Sequence, residues 1–229
     1  MNELILSQIN EIKKSISQFM DVLSEYAVSN GLNVLNQGQR DFFVYISKQI
    51  LFLKDVYNCY PDFKLKVLIS DYYNYIVSMI RNENRYLYLN ERSIIEGYTR
   101  YIVNVNVEQD HVTSEIIAQL KSTSYINSLS DNEYSLIKSE YTTSCGFIHG
   151  SRLLNKSLSY YFTECVSNFY KLNNINAYYQ RITKVIKIFN RLIISNRTEE
   201  IDTTFFRRKS VLEYLIGKEN VESLFALRK

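Results

Sequence analysis

The chain is poor in the residues that make turns: one proline and six glycines occur among its 229 residues. Sandwiches and barrels need many turns, and turns draw on glycine and proline, so an all-β fold is disfavoured. Apolar residues make up 46% of the chain, which is too large a share for a disordered protein. The most apolar run, residues 50–53, lies between Lys48 and Lys54 and is far shorter than the ~18–20 residues that span a bilayer. We therefore expect a soluble, mostly helical globular protein with no membrane partner.

Cysteine and histidine are scarce as well. The three cysteines, Cys59, Cys145 and Cys165, contain no Cys-x-x-Cys pair, and the chain has two histidines. This composition argues against a disulfide framework and against a structural zinc site. An acid, Glu3, stands where a signal peptide carries basic residues. Together these features predict a protein of the reducing cytoplasm.

Several catalytic signatures are missing from the sequence. The glycines are scattered singly, so there is no glycine-rich phosphate loop. The sequence contains neither His-Glu-x-x-His nor Gly-x-Ser-x-Gly, and it lacks the repeated Glu-x-x-His pairs of a di-iron bundle. We therefore expect no cofactor and no metal.

The first 26 residues show the clearest periodicity. Apolar side chains there alternate steps of four and three over three heptads, which predicts a long helix with one apolar seam. Such a seam needs a long partner helix, either within the chain or in a second copy, and both alternatives stay open. The seam residues are Ile5, Ile9, Ile12, Ile16, Phe19, Leu23 and Tyr26.

Helical spacing of apolar residues continues along the rest of the chain. Ser130 and Glu133 form the Ser-x-x-Glu pattern of a capping box, so a helix is expected to begin there. The predicted fold is all-α: a single helical bundle of about eight to nine helices over residues 1–229, with 203–229 as a C-terminal helical appendage. The other predicted helices cover about 39–57, 62–79, 87 or 90–105, 110–120, 155–172 and 175–195.

Two segments depart from this plain helical pattern. In the first, Arg92 and Glu96 are four residues apart, so they share a helix face and can form an ion pair. In the second, Tyr141, Cys145 and His149 follow at steps of four and share one stripe of a helix. Gly150 can end that helix in a left-handed cap, which would place His149 near a helix C-terminus. The dipole there raises the pKa of an imidazole, which suits a general acid.

An Arg-x-x-x-Glu on one helix, followed some fifty residues later by a helix ending Tyr-x-x-x-Cys-x-x-x-His-Gly-Ser, resembles the HEPN superfamily. These helical domains occur in prokaryotic anti-phage defence and toxin–antitoxin systems. The resemblance covers about residues 60–195 and implies an up-and-down bundle, often dimeric, with metal-independent ribonuclease activity in the active members.

The resemblance also implies roles for residues. His149 would be the general acid or base acting on a ribose 2′-hydroxyl or the leaving 5′-oxygen. Arg92 would stabilise the charge that develops on the phosphate, and Glu96 would orient Arg92. Tyr141 and Ser151 would assist by hydrogen bonding.

Basic residues suggest a further contact with nucleic acid. Arg207, Arg208 and Lys209 follow two phenylalanines, and this pairing of charge with aromatic rings suits phosphates and bases. Arg152, next to the predicted site, is a second candidate contact. If the two helices are adjacent, the basic surface can be extended by Lys184, Lys187, Arg191 and Arg197. The other histidine of the chain, His111, is interpreted as a solvated residue near a helix start. The net charge is only +3, which permits such contacts without demanding them.

Two hypotheses of function remain open at this stage. The first is an effector of a defence or toxin–antitoxin system that cleaves RNA through Arg92 and His149. The second is a non-catalytic helical interaction protein, a sensor, inhibitor or scaffold, that binds a protein partner, either a second copy or a cognate component. Arg152 follows His149, whereas the nuclease branch carries an arginine before its histidine, so both hypotheses are kept. A regulator that binds nucleic acid through its C-terminal bases is a third idea.

Overall fold

The computed structural model describes residues 3–30, 32, 34–105, 114–122, 129–148, 157–160 and 174–227. Within these ranges the chain is all-α, as predicted, and it contains no strand. Ten helices have both ends in the described ranges, and nine of them have seven or more residues. The all-α bundle is confirmed, and its helices are slightly more numerous than the predicted eight to nine. They are α1 (Glu3–Ser29), α2 (Gln37–Cys59), α3 (Phe63–Ile80), α4 (Asn84–Val103), α5 (Ser114–Gln119), α6 (Asp131–Ile148), α7 (Ile175–Asn196), α8 (Thr198–Thr204), α9 (Lys209–Ile216) and α10 (Lys218–Leu227).

Five helices form a closed ring, in which α2, α3, α4, α6 and α7 each pack against the next and α7 returns to α2. Successive members run antiparallel. Because five is an odd number, the first and last members, α2 and α7, lie side by side and parallel. Their parallel register is visible in two contacts: Phe42 stacks on Tyr179 at 4.4 Å between ring centroids, and farther along Asn190 donates to Gln49 at 2.7 Å.

The heptad seam of α1 packs within the chain, against α2 and α9. Every seam residue is buried or half-buried, and the polar residues between them, such as Lys14 and Asp21, are exposed. The C-terminal helices join the same hydrophobic core, where Phe205 stacks on Phe52 at 6.0 Å. The structure therefore provides an intramolecular partner for the seam.

Tyrosines fill the centre of the ring. Five of the largest fully buried side chains are tyrosines. Four of their hydroxyl groups form two pairs, Tyr72 with Tyr98 at 2.8 Å and Tyr75 with Tyr178 at 2.6 Å, and the hydroxyl of Tyr101 donates to Glu200 at 2.8 Å. Buried hydroxyls need such partners, because an unpaired one costs free energy of desolvation. The tyrosine-rich composition thus serves the core.

The start of α6 follows the predicted capping box. The Glu133 backbone N–H donates to Ser130 Oγ at 3.3 Å, and Glu133 Oε2 accepts from the Ser130 backbone N–H at 3.0 Å. Arg191 of α7 donates to the same carboxylate at 2.8 Å, which ties the two helices together. The hydrogen bond from Arg191 lowers the pKa of Glu133 to about 2 despite partial burial.

Replacing Ser130 with alanine is expected to lower the free energy of unfolding by about 1 kcal/mol, because loss of the serine hydroxyl leaves a backbone donor of α6 without its acceptor. Urea unfolding followed by circular dichroism measures the change. Ser135→Ala is the matched control, since Ser135 is exposed on the same helix; alanine there should leave stability within about 0.5 kcal/mol. Equal effects of the two changes would contradict the cap.

Candidate functional site

The packing of α4 against α6 brings three predicted site residues together. Arg92 Nε donates to Glu96 Oε1 at 2.7 Å, along one face of α4. The hydroxyl of Tyr141, from α6, donates to the same carboxylate oxygen at 3.3 Å. The Arg92 guanidinium also lies over the Tyr141 ring, 5.6 Å from its centroid. We call these three residues the Arg92 cluster.

The Arg92 cluster lies at the edge of the bundle, with the Arg92 side chain 25% exposed and that of Glu96 15% exposed. Burial opposes the charge of Arg92, but the hydrogen bond and the charge of Glu96 raise the pKa of its guanidinium. Burial and the negative charge of Glu96 raise the pKa of Tyr141 to about 12. At neutral pH the cluster therefore presents a permanent cation and a neutral phenol.

The same antiparallel register places Cys145 near Arg92 and the end of α6 near the start of α4. Cys145, one turn beyond Tyr141, is half-buried and close enough to act electrostatically on Arg92. Nearer the helix end, Phe147 stacks on Tyr88 at 3.9 Å, and the Ile148 carbonyl accepts from Arg85 Nη2 at 3.3 Å. His149 follows Ile148 directly in the sequence.

His149, Ser151 and Arg152 lie outside the described residues, as do Gly150 and His111. The predicted meeting of Arg92 and His149 at one phosphate position therefore stays a prediction. The structure unites Arg92, Glu96 and Tyr141.

A buried carboxylate lies beneath the Arg92 cluster, and the sequence interpretation missed it. Glu91 is 2% exposed, and its two carboxylate oxygens accept hydrogen bonds from different helices. Ser144 of α6 donates to Oε1 at 2.8 Å, and Tyr178 of α7 donates to Oε2 at 2.7 Å. Tyr75 of α3 completes the chain through its hydroxyl contact with Tyr178. This Glu91 network joins four helices of the ring.

The surroundings of Glu91 disfavour its charged form. Burial raises the pKa of the carboxyl to about 8, although the hydrogen bonds from Tyr178 and Ser144 act in the opposite direction. The neighbouring Glu140 adds to the rise, and Arg181, which pairs with Glu140 at 2.9 Å, reduces it. At neutral pH Glu91 is therefore mostly protonated, as expected for a carboxyl in an apolar interior.

The sequence carried one signal of this network. Glu91 falls on the apolar stripe of α4, four residues after Leu87 and before Ile94 and Ile95, where a core side chain is expected. A charged residue at a core position indicates buried hydrogen-bond partners.

The C-terminal basic segment is largely engaged in ion pairs. Arg208 Nη2 contacts Asp55 at 3.0 Å, and Lys209 Nζ contacts Asp202 at 2.7 Å. Arg207 is exposed beside the exposed ring of Phe206, 5.6 Å from its centroid. Contact with nucleic acid stays a prediction for this segment, and Arg207 is its exposed cation.

Among the described residues, no group of three histidine, cysteine, aspartate or glutamate side chains is placed to hold a metal ion. No helix in the described ranges combines the length and the apolar character needed to cross a membrane. No protein-family model, curated protein or solved structure matches the chain.

Proposed function

We propose that the chain is a HEPN-like effector of a prokaryotic anti-phage defence or toxin–antitoxin system that cleaves RNA without a metal ion. The observation that carries the proposal is the convergence of Arg92, Glu96 and Tyr141 across α4 and α6, from segments 45 residues apart. The ion pair orients Arg92, and α6 ends at Ile148, immediately before His149 in the sequence.

The proposed reaction is transfer of the phosphate ester within the RNA strand. A general base takes the proton of a ribose 2′-hydroxyl, and the 2′-oxygen then forms a bond to phosphorus. The bond from phosphorus to the 5′-oxygen breaks, and that oxygen takes up a proton from a general acid. His149 is the proposed acid or base. The products are a 2′,3′-cyclic phosphate and a free 5′-hydroxyl, so atoms and charge balance without a metal.

Arg92 would stabilise the negative charge that grows on the non-bridging phosphate oxygens. A fixed guanidinium does this better than a mobile one, because it needs no reorganisation during the reaction. Glu96 supplies that fixation through its 2.7 Å contact with Arg92 Nε. Tyr141 holds the same carboxylate and would assist as a hydrogen-bond donor.

The test is RNA cleavage by the purified protein in EDTA, with wild type beside His149→Ala. We expect wild type to cut single-stranded RNA and the variant to lose at least about 100-fold in rate, as loss of a general acid or base does. A 2′-deoxy substrate should stay intact with both proteins, because it lacks the attacking hydroxyl.

Cleavage that EDTA abolishes would contradict the metal-independent mechanism, and equal cleavage by both proteins would remove His149 from it. If wild type leaves every RNA intact, the non-catalytic interaction protein becomes the favoured hypothesis. That outcome would turn attention to a protein partner, either a second copy or a cognate component of the system.

A further inference from the structure

A solvent-open groove of about 610 Å³ runs between the N-terminal halves of α2 and α7. Its size falls within the range of ligand pockets, roughly 300–1,000 Å³. Side chains of Tyr45 and Phe42 line it from α2, and Asn176, Thr183 and two lysines line it from α7. The groove is separate from the Arg92 cluster, whose residues belong to α4 and α6.

The groove carries two lysines. Lys184 and Lys187 both line it, both are exposed, and neither forms an ion pair within the described ranges. The neighbouring bases of α7 differ in this respect, because Arg181 pairs with Glu140 and Arg191 pairs with Glu133. The two lysines therefore form an isolated positive site on a helix whose arginines are engaged.

One carboxylate, that of Asp41, also lines the groove. Its Oδ1 accepts a hydrogen bond from Gln37 Nε2 at 2.7 Å. The charged side chains of the groove are thus two lysines against one aspartate. The balance favours an anionic ligand.

The parallel order of α2 and α7 places the first turns of both helices at one end of this groove. The first turns approach closely at Gly38, where an added Cβ would lie 3.2 Å from Asn176 Oδ1. The caps of Asn36 and Asn174 satisfy one donor each, Gln39 N–H and Ala177 N–H. The other N–H groups of a first turn have no acceptor within the helix, and both dipoles direct positive potential to this end.

A buried hydroxyl of the groove wall is also incompletely satisfied. Tyr179 is 6% exposed, and its hydroxyl makes no hydrogen bond of good geometry within the described ranges. The side chain of Gln39 is a polar neighbour of this hydroxyl. Its Oε1 accepts from the Asn36 backbone N–H, so only its Nε2 can serve the tyrosine, as a donor, and the O–H of Tyr179 has no acceptor within the described ranges. A buried polar group in this state indicates that a further polar partner belongs nearby.

We propose that the groove between α2 and α7 binds a phosphate-bearing ligand of nucleotide size, with Lys184 and Lys187 as the residues that contact its phosphate. A phosphate group matches the two free cations, and the two helix N-termini add positive potential farther along the same groove. The half-buried ring of Tyr45 on the α2 wall offers a surface on which a ring of nucleotide size can lie. The inference goes beyond RNA cleavage and does not depend on it, because the Arg92 cluster contributes no residue to the groove.

The experiment is isothermal titration calorimetry at fixed ionic strength with inorganic phosphate, ADP, adenosine and a 12-nucleotide 2′-O-methyl RNA, which resists cleavage. We expect at least one of the three phosphate compounds to bind and adenosine not to bind. Stronger binding of ADP would identify a small phosphorylated ligand. Stronger binding of the oligonucleotide would identify the phosphates of a nucleic-acid strand as the source.

Charge reversal distinguishes binding in the groove from non-specific attraction of an anion to a positively charged protein. The double variant Lys184→Glu/Lys187→Glu is expected to weaken binding by about tenfold or more. The control is Lys66→Glu/Lys138→Glu, which makes the same change in net charge at exposed lysines elsewhere, and it should weaken binding by less than about twofold. Arg92→Ala should bind inorganic phosphate and ADP as wild type does, whatever its effect on cleavage or on binding of the oligonucleotide. Failure of all three phosphate compounds to bind wild type, or equal losses in the two double variants, would overturn the inference.

Discussion

Replacing Glu91 with glutamine is expected to make the protein more stable than wild type at pH 9, although the two proteins should be nearly equally stable at pH 5. Glutamine has the shape of the protonated carboxyl and can keep one acceptor and one donor in the Glu91 network. It cannot ionise, so it escapes the cost of a buried negative charge. Few substitutions at a fully buried polar residue are expected to be stabilising at any pH.

The direction follows from proton binding. The pKa of Glu91 is about 8 in the folded chain, and an unfolded glutamate has a pKa of about 4.3. Between these values the folded chain holds a proton that the unfolded chain has released, so the free energy of unfolding falls as pH rises. The contribution of Glu91 is complete below about pH 4.3 and is lost by the time the pH has passed through the folded pKa. The total loss is on the order of 5 kcal/mol.

Urea unfolding of both proteins at pH 5, 7 and 9 measures this effect, with constant ionic strength. Wild type should lose stability steadily over the series, and Glu91→Gln should lose much less. Glu213→Gln is the control, because Glu213 is exposed on α9 and its replacement should leave the pH dependence unchanged. Parallel curves for wild type and Glu91→Gln would show that Glu91 titrates normally in the folded protein.

Glu133 gives stability the opposite dependence on pH, and it does so at acidic pH. The hydrogen bond from Arg191 lowers the pKa of this carboxyl to about 2 in the folded chain. Between about pH 4.3 and 2, Glu133 is therefore protonated less often in the folded chain than in the unfolded chain. Its contribution to stability is present above about pH 4.3 and is lost as the pH falls toward 2. The summed contribution of these two carboxyl groups to stability is therefore largest near the ordinary pKa of glutamate.

The fold could be predicted from the sequence where the determinants are local. The heptad steps of α1 and the Ser130–Glu133 box of α6 each involve residues a few positions apart, and both features are present in the structure. The spacing of Arg92 and Glu96 likewise predicted their ion pair. Such features depend on helix geometry alone, which fixes where residues three and four apart lie.

Contacts between distant segments could not be predicted in this way. Glu91 meets Ser144 and Tyr178 across 53 and 87 residues, and Arg208 meets Asp55 across 153. These pairs depend on which helix faces which and on their relative register, and helical periodicity contains neither. The parallel pairing of α2 and α7, which makes the groove, depends on the ring closing after five helices.

Replacing Arg92 with alanine is expected to lower the rate of RNA cleavage by at least about 100-fold, because the variant lacks the cation that stabilises the phosphate charge. The stability cost should be small, about 1 kcal/mol or less, because the pair with Glu96 is partly exposed. An activity loss of this size could then not be attributed to unfolding. Arg81→Ala is the matched control, since Arg81 is exposed on the turn after α3. Cleavage by Arg92→Ala at the rate of the Arg81→Ala control would exclude Arg92 from the reaction.

A double-mutant cycle then separates the role of Glu96 from that of Arg92. Glu96 contacts Arg92 through Nε and has no assigned contact with substrate, so it should act only by fixing the guanidinium. Glu96→Gln alone is expected to slow cleavage by about tenfold, and it should have no further effect in the Arg92→Ala background. Tyr141→Phe tests the third member, because it removes the hydroxyl bonded to Glu96 and keeps the ring beneath Arg92. Additive losses in the cycle would mean that Glu96 acts on the RNA independently of Arg92, and the proposed division of roles would then be wrong.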